Sequence, residues 1–215
     1  KQLLAHQKNE DTFIKSNNIV FVFETLSGNI YTPENLSSVE KITNEAWLLP
    51  YSSRVDSLTN YQHTEVIDDD LNVADLVEDA ASLTEEQVAR VKRIASNEVA
   101  LMNRLVSDRH HSTAVNVVLN MPDDTMHAQG EATVELVAAA RELRSVIEAG
   151  NPNIKIHLQG LSIVNTAFNE SAEYDAQYLF PVLFLLIVFM LLFLLRSAWS
   201  AFVTTIVIIL GVLIS

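Results

Sequence analysis

The side chains that could bind a metal or transfer a proton fall into three short groups. His110 and His111 are adjacent, and adjacent side chains on a strand point to opposite faces, so they are a poor pair of ligands for one ion. The run Asp68–Asp70 lacks the alternating ligands, the glycine and the terminal glutamate of a calcium loop. Glu85 and Glu86 open a predicted helix, where acids favour the helix dipole. All three groups are interpreted as structural or solvated, and neither a metal nor another cofactor is expected.

The sequence also lacks the signatures of common enzymes. It contains no Gly-x-Ser-x-Gly, no Gly-rich phosphate loop and no His-Glu-x-x-His. It has no cysteine, which excludes disulfides, thiolate metal sites and cysteine nucleophiles. We therefore expect a protein that is not an enzyme.

The charge balance limits the classes of partner. Lys and Arg number 14 against 27 Asp and Glu, which gives a net charge of -13. Nucleic acids and anionic lipid surfaces are bound through basic patches. Nucleic acid is therefore excluded as a partner.

Two apolar runs near the end of the sequence indicate a membrane protein. The residues from Tyr178 to Leu195 carry no charge, and as a helix they would be about 27 Å long, close to the ~30 Å hydrocarbon core of a bilayer. A second apolar run begins at Ala201 and continues to Ser215. The lipid bilayer is thus an expected partner, and we expect the chain to be a piece of a longer protein.

The residues that flank the first run predict its orientation. Glu170, Glu173 and Asp175 precede it, and Arg196 follows it. Because arginine marks the cytoplasmic side, Arg196 is the predicted topology determinant. The large domain is then extracytoplasmic, or periplasmic, and the protein is a multi-pass protein of the cell's inner (plasma) membrane.

The region before the span is long enough for one domain with its own core, and its periodicity suggests two β-α-β units. The strand at 19–23 is continuously apolar and is predicted to be buried on both faces. Capping signals open helices after Thr32 and Thr84. The acidic stretch 61–81 is predicted to be a loop. The predicted strands are 19–23, 54–60, 114–119 and 154–159. The predicted helices run from 33 towards Pro50, from 85 to about 106, and from 126 to 149.

Two β-α-β units predict a ferredoxin-like α+β sandwich, with helices on one face of a mainly antiparallel sheet. The strand order is left open. After Gly160 the pattern turns helical, and no breaker precedes the span, so the membrane helix is expected to extend outward as a stalk. The predicted boundaries are 1–173 for the extracytoplasmic domain, 174–196 for the stalk and span, 197–200 for a cytoplasmic linker and 201–215 for the start of the next span.

The order of these parts resembles the resistance-nodulation-division (RND) superfamily of exporters, in its Patched-like and mycobacterial-membrane-protein-large branches. Each local string is short, and their order and spacing carry the resemblance over nearly the whole chain. The strings are Asn29–Glu34, Arg54–Asn60, Asp69–Val77, Asn103–Ser107, Gln159-Gly160, Leu179-Phe180-Pro181 and Leu195-Arg196-Ser197.

The resemblance implies the first extracytoplasmic porter domain of such an exporter, with its second transmembrane helix and part of its third. Members typically use the proton gradient, and many move lipids or other hydrophobic compounds. The remaining transmembrane half and a second porter domain would then be partners, and homo-oligomerisation is left open. The proton-relay acids of the family lie in later helices, so no residue here is assigned that role.

Three aromatic residues near the predicted membrane surface are the candidate substrate path. Phe168, Tyr174 and Tyr178 could border a path for a hydrophobic or lipid-like substrate, although aromatics at this depth also serve as anchors. The favoured function is a proton-driven exporter of such compounds. The alternative is the ligand-sensing ectodomain of a membrane receptor, and an anchored enzyme ranks last.

Overall fold

The structure is a computed structural model that describes residues 17–67, 70–122, 125–195, 199, 203, 204, 206 and 207. The chain divides into two compact units, Lys1–Thr166 and Ala167–Ser215. The weak apolar pattern of residues 1–18 predicts a lead-in helix, and all of this stretch except Asn17 and Asn18 lies outside the described residues. So do Arg196, most of the linker and most of the second apolar run.

The first unit contains a four-stranded antiparallel sheet and a separate two-stranded hairpin. The order in the large sheet is β2-β5-β1-β6, and β3 pairs with β4. The strands are β1 (Asn18–Thr25), β2 (Ser52–Asp56), β3 (Gln62–Ile67), β4 (Asp70–Asp75), β5 (Ser112–Leu119) and β6 (Ile154–Gln159), and the helices are α1 (Pro33–Ala46), α2 (Glu85–Asn97) and α3 (Met126–Gly150).

The strand order confirms the α+β class and the split β-α-β arrangement. In β1-α1-β2 the two strands are separated by β5, and in β5-α3-β6 they are separated by β1. Each β-α-β unit therefore leaves a space between its two strands, and a strand of the other β-α-β unit lies in that space. This is the ferredoxin-like topology.

Alternation along β1 places the core on one face of the sheet. Ile19, Phe21 and Phe23 are fully buried, whereas Val20 and Val22 are only half-buried. The prediction that this strand is buried on both faces is therefore wrong. The buried face packs in one hydrophobic cluster with apolar residues of all three helices, among them Leu36, Val39, Ile42, Val91, Leu136 and Ala140.

Helices α1 and α2 begin where the capping signals predicted, but both end earlier than predicted. Thr32 caps α1, with Pro33 at its first position, and Thr84 and Gln87 form a capping box at α2. The first helix stops at Ala46 rather than running to Pro50. The second stops at Asn97 rather than near residue 106, because the next residue is extended and the Asn97 side-chain amide donates to the Arg93 carbonyl at 2.8 Å.

Only residues 54–56 of the predicted strand at 54–60 lie in a strand, and the residues that follow form a turn. β2 ends at Asp56, after which Ser57 and Asn60 hold the backbone in a turn. The Ser57 amide donates to the Asn60 side-chain oxygen at 2.8 Å, and the Asn60 side-chain amide donates to the Val55 carbonyl at 2.7 Å. Local side-chain bonds of this kind compete with ladder bonds and end the strand.

The stretch 61–81, predicted to be a loop, is folded. Its described part contains the β3–β4 hairpin and a short 3-10 turn at Ala80–Ser82. The hairpin base is fixed by two backbone bonds: the Leu76 amide donates to the Tyr61 carbonyl at 2.8 Å, and the Val77 amide donates to the Thr59 carbonyl at 3.1 Å.

Gly160 ends the last strand at a very close backbone approach. Its φ is +119°, and a Cβ there would lie 2.2 Å from the Asn18 carbonyl oxygen. Only glycine fits this position without displacement of β1. Helical structure begins at the next residue, as predicted.

The helical residues that follow are α4 (Leu161–Tyr174), a π-helical segment (Asp175–Leu179) and α5 (Phe180–Leu195). Leu161–Leu194 is the one described helix that is long and apolar enough to cross a membrane. Pro181 accounts for the π-helical segment, because proline has no N–H for the Gln177 carbonyl and its ring would crowd that carbonyl in a regular turn. The wider turn relieves this conflict, and the Phe180 amide instead donates to the Asp175 carbonyl.

Candidate functional site

Tyr174 and Tyr178 form an exposed aromatic pair in the second unit. They are four residues apart, so they lie one above the other on a helix face, and their ring centroids are 4.8 Å apart with a tilt of 37°. Their exposed fractions are 63% and 54%. The structure therefore brings together two of the three predicted path residues.

Phe168 lies apart from this pair. It precedes Tyr174 by six residues, which at 100° per residue places it about 120° around the helix. Its side chain is 72% exposed. The role of all three residues in a substrate path stays a prediction.

The aromatic pair lies where the helix changes character. Glu173 and Asp175 are exposed acidic residues, whereas no Asp, Glu, Lys or Arg occurs from Tyr178 to Leu195. A tyrosine ring is apolar and its hydroxyl is polar, so a pair at such a boundary suits either a membrane–water interface or the head of an amphiphilic compound. The π-helical segment contains Tyr178, which places irregular helix at the same point.

His110 and His111 lie in a turn before β5. His110 has φ +60° and packs edge-on against Tyr31, with ring centroids 5.6 Å apart. His111 Nδ1 lies 3.2 Å from the Ser107 hydroxyl. Within the described part of the chain, no three His, Cys, Asp or Glu residues are grouped so that they could hold a metal ion. Asp68 and Asp69 lie outside it, and Asp70 starts β4.

Tyr31 has a strongly shifted pKa among the described residues. It is 3% exposed, and burial raises its pKa to about 12. Its hydroxyl is buried without a hydrogen-bond partner among the described residues, and the Lys92 ammonium lies 5.9 Å from its ring centroid. These features suit a packing role and offer no acid or base near neutral pH.

The strings that carry the family resemblance have structural roles in the first unit. In Arg54–Asn60, the hydroxyls of Ser57 and Thr59 are 2.9 Å apart and lie 2.9 and 3.1 Å from the Thr43 hydroxyl of α1. All three side chains are buried, so this cluster ties the turn after β2 to α1. Glu85 and Glu86 lie in the first turn of α2, as predicted.

A buried network of amide side chains between α1 and the end of α3 was not predicted from the sequence. The Asn151 side-chain amide donates to the Asn35 side-chain oxygen at 3.1 Å and to the Ser38 hydroxyl at 3.0 Å. The Asn35 amide donates to the Asn29 carbonyl at 2.9 Å. In the sequence, Asn151 next to Pro152 indicates only the end of a helix. The tertiary packing shows that Asn151 also joins two helices.

The chain matches a known protein family over most of its length. The sequence pattern of the MMPL family matches residues 51–215, which include three of the four strands of the large sheet, the hairpin and the long apolar helix. The string Asn29–Glu34 precedes the matched region. No curated protein is similar enough to the chain to be named as a relative.

Proposed function

Because the chain belongs to the MMPL family of RND-superfamily membrane proteins, we propose that it forms part of a proton-driven exporter of hydrophobic or lipid-like compounds. Membership implies an RND-type transporter, a class that is typically not enzymatic. The observation that carries the proposal is the match over residues 51–215, which includes most of the folded domain and the long apolar helix.

The surface of the helix supports an amphiphilic substrate. Tyr174 and Tyr178 lie together where exposed acids give way to an uncharged apolar run. A compound with a polar head and an apolar body would meet both environments there. We propose that the pair contacts the substrate as it leaves the outer layer of the membrane.

The rest of the arrangement is part of the same proposal. The domain lies on the extracytoplasmic side of the inner (plasma) membrane, and Arg196 faces the cytoplasm. The partners are a second porter domain and the remaining transmembrane half. α5 contains no ionisable residue, so the proton path runs through other helices.

The test is transport by the full-length protein in lipid vesicles under an imposed pH gradient, with a fluorescent lipid analogue as the probe. We expect transfer that depends on the gradient and stops when a protonophore dissipates it. Tyr174→Ala and Tyr178→Ala should each lower the rate several-fold, and Tyr178→Phe should retain most of it. Phe193→Ala is the matched control, because Phe193 is 80% exposed on the apolar helix and lies away from the pair.

Transfer at the same rate without a gradient would refute proton coupling. Equal rates for the tyrosine variants and the control would refute the contact with substrate. Saturable binding of the probe without any transfer would instead support the ligand-sensing receptor.

A further inference from the structure

The β3–β4 hairpin has two faces of different chemistry. Its register pairs Thr64 with Val73 and Val66 with Leu71, which places these four side chains on one face. We call them the outer face. His63, Glu65, Asn72 and Ala74 alternate with them on the other face.

The polar face is the one that packs against the domain. The Glu65 carboxylate lies 2.5 Å from the Arg90 guanidinium of α2. His63, Glu65, Asn72 and Ala74 line a cavity of about 260 Å³ together with Gln87, Arg90 and Val91 of α2. His63 and Ala74 are half-buried. The hairpin thus turns its polar side towards the protein.

The apolar residues face away from the domain. Val66, Leu71 and Val73 are 69%, 73% and 57% exposed, and Thr64 is also exposed. A hairpin on a domain surface normally shows the reverse pattern, with apolar residues inward. Single exposed apolar residues are ordinary, but these three are neighbours across two paired strands and form one patch.

The charge of the hairpin decides what kind of partner fits this patch. The sequence from Gln62 to Asp75 contains five acids and no Lys or Arg. One acid, Asp75, lies on the outer face at the base of the hairpin, where its carboxylate accepts a hydrogen bond from Gln62. A second copy of this hairpin would bring like charges together, and an anionic membrane surface would be repelled.

We propose that the outer face is a docking surface for a basic, apolar segment of a partner protein. Apolar side chains of that segment cover Val66, Leu71 and Val73, and its Lys or Arg residues pair with Asp75 and complement the acidic composition of the hairpin sequence. Among the described residues, β3 and β4 pair as strands only with each other, so an extended segment can add main-chain hydrogen bonds at the second edge of either strand. This inference does not depend on the substrate or energy source of the transporter.

The test uses the cysteine-free 215-residue chain in discs of neutral lipid. Thr64→Cys on the outer face carries an environment-sensitive dye, and Val99→Cys, a site 85% exposed outside the hairpin, carries the same dye as a reference. The probe is a peptide of about seven alternating Val and Lys residues, a typical strand length. Matched peptides replace Lys by Glu or Val by Ser.

We expect only the Val/Lys peptide to shift the dye at position 64, with no shift at position 99. Leu71→Ser with Val73→Ser should weaken binding at least tenfold. Asp75→Asn should weaken it several-fold and reduce its salt dependence. Asn72→Ser on the inner face is the matched control and should bind normally.

Equal binding of the Ser/Lys peptide would show a purely charge-driven contact and overturn the proposal. Equal binding of the Val/Glu peptide would overturn its electrostatic half. A dye shift caused by vesicles of anionic lipid, or by raising the concentration of the chain alone, would assign the face to a membrane or to a second copy.

Discussion

Phenylalanine follows opposite rules in the two units of this chain. Phe21 and Phe23 of β1 are fully buried, whereas Phe189 and Phe193 of α5 are 72% and 80% exposed. In the first unit, apolar side chains leave water by packing on one another. In the second, most apolar side chains remain uncovered by protein, and the bilayer is the solvent that suits them.

The difference shows where sequence changes act on folding and where they act on insertion. The interior of the first unit responds to volume and to backbone clashes. The apolar helix responds to charge and hardly at all to volume. Paired substitutions, one in each kind of site, separate the two responses.

The largest effect is expected at Gly160. A Cβ at this residue meets the Asn18 carbonyl oxygen at 2.2 Å, and φ of +119° is strained for any other residue. Gly160→Ala should lower the free energy of unfolding of the first unit by more than about 4 kcal/mol, or prevent folding. The measurement is urea unfolding followed by circular dichroism.

Gly130 is the control for that substitution. It lies within α3, and nothing lies within 4 Å of the position a Cβ would take. Gly130→Ala should stabilise the helix by about 0.5–1 kcal/mol. Equal destabilisation by both changes would contradict the close approach described at Gly160.

The aromatic contrast is tested by truncating one ring in each unit. Phe21→Ala should cost about 3–5 kcal/mol of unfolding free energy, because it leaves a cavity in the core. Phe189→Ala should change it by less than about 0.5 kcal/mol. Comparable losses in the same urea titration would mean that Phe189 is packed against protein.

A charge placed in the apolar helix should have a smaller and different effect. Leu186→Asp should disfavour insertion by about 2.5–3.5 kcal/mol, since a charge near the centre of a span must leave water. Val99→Asp, in an exposed turn of the first unit, should have no such effect. The fraction of protein that resists alkaline extraction from membranes measures insertion, and full retention of Leu186→Asp would argue that this helix does not span.

The smallest effect is expected at Tyr31 and appears only at high pH. Its pKa is about 12 in the folded protein against 10.0 ordinarily, so the unfolded chain loses this proton first. Stability from this group is therefore present below pH 10 and is lost as pH rises from 10 towards 12. Tyr31→Phe should flatten that loss and leave neutral-pH stability unchanged or slightly higher, since the hydroxyl lacks a described partner. Thermal melting at several pH values checks this, and an unchanged alkaline slope would contradict it.

The sequence predicted the elements whose signals are local. Thr32 with Pro33, and Thr84 with Gln87, start helices because capping satisfies the first amide groups wherever the helix lies. The apolar run from Tyr178 to Leu195 predicted a spanning helix by length and composition alone.

The failures occur where tertiary contacts override local pattern. The turn after Asp56 depends on the Ser57 and Asn60 side chains, which local periodicity does not reveal. The β3–β4 hairpin was not predicted because its apolar residues face outward and its acidic sequence is typical of a loop.

The position of β1 in the sheet has a consequence for the order in which the domain folds. Among the described strands, β1 is synthesised first, and its two neighbours, β5 and β6, are synthesised last. Its pairing requires the closure of long loops, which costs entropy before any contact forms, so the sheet should close slowly. During synthesis, one edge of β1 stays unpaired until β5 has emerged and the other until Gln159 has emerged, and in that interval each open edge is exposed to aggregation with other chains.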